Sequence, residues 1–128
     1  MMRNISFSLT TPQVRAQTKT VTRRLGWKFA KVGDIYCAIE KGQGLKKGEK
    51  VVRICQIRVV NVRREPLSAL TDDLDYGFAE TAREGFPDGD KHWPSEFVSM
   101  FCAHNKVQPS TEVTRIEFEY VSSAETRG

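Results

Sequence analysis

No apolar run in this chain approaches the ~20 residues that a helix needs to cross a bilayer. The N-terminal residues, Met1-Met2-Arg3-Asn4-Ile5-Ser6-Phe7, lack the apolar core of a secretory signal. No membrane association is expected, and the expected location is the cytoplasm. Cysteine is scarce: the chain has three, Cys37, Cys55 and Cys102, with no Cys-x-x-Cys pair. An odd number at wide spacing argues against a disulfide framework and a zinc knuckle. All three have apolar neighbours and read as small buried hydrophobes. Acid is short in the first half: residues 1–64 hold 3 Asp and Glu against 15 Lys and Arg. Residues 65–128 reverse this, with 13 acids against 5 bases. A basic half can attract phosphate and guide nucleic acid by its field. Alternatively, the two halves neutralise each other in the fold.

The 128 residues are 39% hydrophobic and 28% charged. That composition suits one globular domain, assigned to 1–121, with a polar tail over 122–128. Alternation predicts a first strand at Ile5–Leu9. Thr10 or Thr11 then caps a short helix, with Pro12 in its first turn, ending near Ala16. Lys31-Val32-Gly33-Asp34 predicts a turn into a strand at Ile35–Ile39. Residues 41–50 are rich in Gly and Lys and read as a basic loop. Residues 51–62 alternate over a length that invites a bend or bulge. Pro66–Leu70 reads as a helical turn, and a helix runs from Thr71-Asp72-Asp73 to Gly85. A second helix opens at Pro94, with Trp93, Phe97, Met100, Phe101 and His104 spaced as a core stripe. Residues 113–121 close the fold as a strand. Ile116, Phe118 and Tyr120 share one face, and Arg115, Glu117 and Glu119 the other.

The segment that carries the most chemistry is Lys19-Thr20-Val21-Thr22-Arg23-Arg24. Three cations and two hydroxyls lie within six residues. A threonine is a nucleophile only if a base takes its proton. A lysine serves only where burial or neighbouring cations lower its pKa. A passive reading is equally open: the hydroxyls and cations grip a phosphate or a base edge, or simply form a solvated strand. Glu84, in Ala82-Arg83-Glu84-Gly85-Phe86, is placed at the end of a predicted helix, where the dipole opposes its charge. Trp27 and Tyr36, among Arg24, Lys28 and Lys31, could stack a base or pack in the core. His92 with Asp88 and Asp90 has no distinctive ligand spacing, so neither a metal nor a cofactor is expected.

Together these segments resemble the ASCH family, small barrels related to the PUA RNA-binding domains. The resemblance rests on Lys19–Arg24, the Gly33-Asp34 turn, Leu67–Thr71, Ala82–Phe86 and Ile116-Glu117-Phe118. It spans most of residues 4–121, and the opening resembles phage and prophage members. It implies an α+β fold: a PUA-like β-barrel of five to six mostly antiparallel strands, with two to four short helices packed against it. It also implies a cleft for a nucleoside or RNA. One branch of the family is an amidohydrolase that removes acetyl from the exocyclic amine of acetylcytidine. Its catalytic lysine, threonine and glutamate match Lys19, Thr22 and Glu84 here, as activator, nucleophile and proton carrier. From the residues themselves, Arg23, Arg24, Trp27, Lys28 and Tyr36 are the expected ligand contacts. Other members are RNA-binding or ribonucleolytic. The chain departs from the small amidohydrolases in having Arg23 at an aliphatic position, a basic loop at 41–50 and a long 86–107 segment.

Overall fold

A computed structural model describes residues 2–42 and 47–122. The middle of the basic loop and most of the polar tail lie outside the described residues. Five strands form one mixed sheet: β1 (Arg3–Ser6), β2 (Val21–Arg24), β3 (Ile35–Ile39), β4 (Arg53–Pro66) and β5 (Glu112–Tyr120). The order is β1-β3-β4-β5-β2, with β1–β3 parallel and the other pairs antiparallel. The sheet curls into a half-barrel, as expected for a small PUA-like barrel. Four helices accompany it among the described residues: α1 (Thr11–Arg15), α2 (Ala69–Asp72), α3 (Leu74–Arg83) and α4 (Pro94–Asn105).

The curl follows from β4. Its first half pairs with β3 and its second half with β5. The register shifts between Val59 and Asn61, and again opposite Ala38/Ile39. An unpaired residue at each shift bends the strand and increases its twist. The concave side is filled by Ile5, Phe7, Val14, Tyr36, Ile57, Val59, Ile116 and Phe118. A second apolar cluster joins α2, α4 and the start of β5 through Leu67, Leu70, Phe97, Phe101 and Val113.

The structure corrects several sequence expectations. The first strand is Arg3–Ser6, not Ile5–Leu9. Phe7 ends it, because the Phe7 carbonyl accepts from Thr10 N–H and from the Thr11 hydroxyl, forming a turn that leaves Leu9 exposed. The helical turn expected over Pro66–Leu70 lies later in the chain, as α2, and the helix expected from Thr71-Asp72-Asp73 is α3, N-capped by Asp73. That residue is extended, and its carboxylate caps Tyr76 N–H. The stripe on α4 keeps Phe97 and Phe101 in the core, but Trp93 is 59% exposed and His104 is exposed. Trp93 precedes the helix and packs edge-on against Phe78. Tyr36 is a core residue rather than a stacking platform. It is buried among the concave cluster, with its hydroxyl donating to Asp34 at 2.8 Å.

Gly77 sets how closely the helices pack. A Cβ there would fall 2.0 Å from the Leu70 carbonyl oxygen of α2 and 2.7 Å from Pro94 Cγ of α4. Gly77→Ala is expected to destabilise the fold by about 2–4 kcal/mol, read as a lowered urea midpoint, because backbone must move. An unchanged midpoint would contradict this packing.

Candidate active site

The segment that enters β2 is pinned on three sides. Thr20 N–H donates to Arg83 O at 2.8 Å, Phe118 N–H donates to Thr20 O at 2.9 Å, and Tyr120 OH donates to Lys19 O at 2.6 Å. This fixes Lys19 beside the C-terminus of α3. The helix ends in a Schellman motif. Phe86 N–H donates to Thr81 O and Gly85 N–H to Ala82 O, with Gly85 at φ +106°. Glu84 therefore sits at the C-cap, with both its carbonyl and its carboxylate turned to Lys19. Lys19 Nζ donates to Glu84 O at 2.7 Å and to Glu84 Oε1 at 2.8 Å. The cation answers the dipole and the carboxylate together, which offsets the misfit expected for a glutamate at a helix C-terminus. Both residues are buried.

Within β2 the side chains alternate. Arg23 points toward α3 and is fully buried, meeting three carboxylates. Nη1 donates to Glu84 Oε2 at 3.1 Å, and Nη2 to Glu80 Oε1 at 2.6 Å and Glu65 Oε2 at 3.0 Å. Glu80, with no exposed surface, also accepts from both Nε and Nη2 of Arg115 and from Arg83. Thr22 is buried, and its hydroxyl oxygen accepts from Arg24 Nε at 3.0 Å. Arg24 Nη2 then reaches across to the Ser6 carbonyl of β1 at 2.5 Å. Its guanidinium lies over the Phe7 ring, 4.9 Å from the centroid. The side chain of Arg24 thus bridges the two edges of the half-barrel.

The charges respond to this setting. Burial pulls the Lys19 ammonium below the ordinary lysine value. Glu84 opposes that shift, while Arg24 and Arg23 add to it. Burial likewise draws Arg24 down to about 10, against the pull of Glu84. Burial works against the charge of Arg23 as well, but Glu84, Glu80 and Glu65 together hold it above its usual range. Burial opposes ionisation of Glu80 too. The hydrogen bonds of Arg115 and Arg23 prevail and bring its pKa down to about 2.

These groups border a cavity of about 160 Å³. Lys19, Thr22, Arg23, Arg24 and Glu84 form its ionic side. Phe7, Phe86, Phe97, Met100 and Phe101 form an apolar wall, and His104 and Asn105 of α4 also line it. Five of the eight residues singled out from sequence thus line one cavity. Trp27, Lys28 and Tyr36 do not line it. Trp27 packs against Tyr36 and Phe29, beside the concave core. His92 belongs to a latch: its Nδ1 lies 3.0 Å from Phe86 O and 3.2 Å from Thr81 Oγ1, and the Thr81 hydroxyl donates to His92 O. No three potential metal ligands cluster among the described residues, and none of their helices is long and apolar enough to cross a membrane.

Glu80, Glu65 and Arg115 went unmarked in the sequence. The available signal was spacing: Glu80 and Glu84 are four apart and so share one helix face with Gly77 and Thr81. The pH dependence of stability follows from Glu80. Its carboxyl falls from the ordinary 4.5 to about 2 in the fold. The stability it confers is complete above 4.5 and is lost as the pH drops toward 2, about 3 kcal/mol in all. Urea titrations over that window should show a falling midpoint in the wild type. Glu80→Gln should be less stable at neutral pH by about 3–5 kcal/mol, because two buried arginines lose their partner, and its acid limb should be flatter. Equal slopes for the two proteins would remove Glu80 from this role.

No family model matches this chain, and no curated protein matches it. Solved structures do. A protein of Enterococcus faecalis V583 assigned to the family DUF984 superposes with a TM-score of 0.61. It is 17% identical and covers 94% of this chain and 81% of its own. An ASCH domain from Lactobacillus crispatus JV V101 superposes with a TM-score of 0.50 at 15% identity, covering 92% of this chain and 79% of its own. Identities this low speak to architecture, and the architecture agrees with the strand order and curl described above: the chain has an ASCH-like fold.

Proposed function

We propose that this chain is a member of the ASCH family. We further propose that the cavity is the active site of an amidohydrolase acting on an acylated cytidine nucleoside or a related small amide. The observation that carries this reading is the buried Lys19–Glu84 contact of 2.8 Å, beside a cavity that Thr22 also lines. A glutamate facing solvent would have favoured a binding surface instead. At about 160 Å³ the cavity has room for one base or one acyl amide.

The chemistry starts from an ion pair. As an ammonium, Lys19 cannot accept a proton. Transfer of one proton from Nζ to Glu84 Oε1 yields an amine and a carboxylic acid. Burial makes that step easier, since it disfavours the charged lysine. The amine takes the Thr22 hydroxyl proton as Oγ1 bonds to the amide carbon. The carbonyl oxygen becomes an oxyanion beside the Arg24 guanidinium, which is already hydrogen-bonded to Thr22. The C–N bond then breaks, and the departing amine takes its proton from Glu84. Lys19 is again an ammonium, Glu84 a carboxylate, and Thr22 carries an ester. Water adds to that ester, and one water proton returns to Oγ1 as the acid leaves.

A second reading rests on a different surface. Arg3 lies 4.2 Å over the Phe29 ring, Phe29 contacts Trp27, and Lys28 and Lys31 are exposed beside them. Phe29 is exposed, and an exposed aromatic among cations suits RNA. One comparison separates the two readings. Incubation with acetylcytidine should release cytidine. Thr22→Ala should abolish the release, by 100-fold or more in kcat on the order of losing a nucleophile, while folding is retained. If no cytidine appears but RNA oligonucleotides bind with steep salt dependence, the binding module replaces the enzyme.

A further inference from the structure

The ionic side of the cavity has more hydrogen-bond donors than acceptors. Lys19 Nζ has three N–H groups and spends two, on Glu84 O and Glu84 Oε1. The Thr22 hydroxyl oxygen accepts from Arg24 Nε, which leaves its own proton free to donate. Arg24 spends Nε on Thr22 and one Nη2 proton on Ser6 O, and Nη1 has no partner among the described residues. Among the described residues Arg24 also has no carboxylate within ion-pair distance, whereas Lys19 and Arg23 are both ion-paired. On the acceptor side, Glu84 is the one acid among the described residues that line the cavity, and both of its oxygens are already taken. Three donors from three residues therefore border the same space, with a surplus positive charge and nothing anionic to receive them.

We infer that the cavity binds a small oxyanion, specifically a monocarboxylate, through Arg24, Thr22 and Lys19. Two features select the carboxylate. A guanidinium edge matches a planar two-oxygen anion better than it matches a spherical ion. Phe86, Phe97, Met100 and Phe101 line the same cavity and accept an apolar tail, which a monocarboxylate carries and a phosphate ion does not. The donor count stands independently of catalysis. The identity of the anion rests on the deacylation reading: hydrolysis of an amide leaves a carboxylate where the acyl group lay, so the released acid is the natural occupant. It would then compete with the next substrate.

The test uses the whole chain with sodium butyrate, sodium phosphate, sodium chloride and cytidine at matched ionic strength. Binding is followed by saturation-transfer NMR on the butyrate methyl protons and by thermal shift. Saturable butyrate binding, with no equivalent effect of chloride, is expected. Arg24→Gln should weaken it about tenfold or more, and Arg24→Lys should leave an intermediate affinity. The wild-type NMR measurement decides the matter even if a variant fails to fold. Absence of saturable butyrate binding, or phosphate binding more tightly than butyrate, overturns the inference, as does cytidine binding that butyrate fails to displace. Release of cytidine from acetylcytidine is scored separately. Butyrate binding without turnover would sink the enzyme reading alone, and turnover without butyrate binding would sink the anion site alone.

Discussion

The Arg23 guanidinium has no exposed surface, its two terminal nitrogens are met by acceptors, and their placement governs the rest of this site. Three carboxylates converge on it from two elements: Glu65 from the end of β4, and Glu80 and Glu84 from one face of α3. Removing one carboxylate would leave a buried cation unsatisfied, which costs several kcal/mol. Removing the arginine would set two or three buried acids against one another. The cluster therefore fixes where α3 lies on the sheet. That position in turn brings the helix C-terminus, and Glu84 with it, to Lys19.

Two apolar cores flank this arrangement without entering it. One fills the curl of the half-barrel, and the other ties α2 and α4 to the start of β5. Between β2, β5 and α3 the buried groups are instead Lys19, Arg23, Arg115, Glu80 and Glu84. Apolar burial supplies bulk stability, while the ions supply direction. A carboxylate shared between Lys19 and Arg23 has a fixed orientation, which a reaction at the neighbouring Thr22 would require. Arg24 adds a second constraint, because its bond to Ser6 O holds the edge strand β1 against β2 across the mouth of the curl.

Much of the scaffold is legible in the sequence. Alternation marks β3, β4 and β5, Gly85 marks the end of α3, and Lys19, Thr22 and Glu84 stand out by motif. The ionic layer is not legible in the same way. Arg115 alternates with Ile116 and Phe118, so pattern assigns it to solvent, yet α3 covers that face and buries it. Hydrophobic periodicity measures only apolar faces, and the buried face of α3 is Gly77, Glu80, Thr81 and Glu84. Tyr36 errs in the opposite direction. Its cationic neighbours suggest a ligand platform, but as a β3 residue opposite Ile57 it faces the concave core. Trp93 lies one residue before α4, so helical spacing places it on a stripe that the helix does not yet present.

The site depends most on the state of Lys19. Its ammonium is desolvated, held by Glu84 and crowded by Arg24 and Arg23. Titration of the lysine Cε and Hε NMR signals, with Lys19 assigned by substitution, measures that state directly. Lys19 should titrate below the exposed lysines, and Glu84→Gln should lower it further, because the carboxylate is the group that holds the proton on. A Lys19 signal that titrates with the surface lysines, or that does not move when Glu84 loses its charge, would contradict the buried pair on which the site is built.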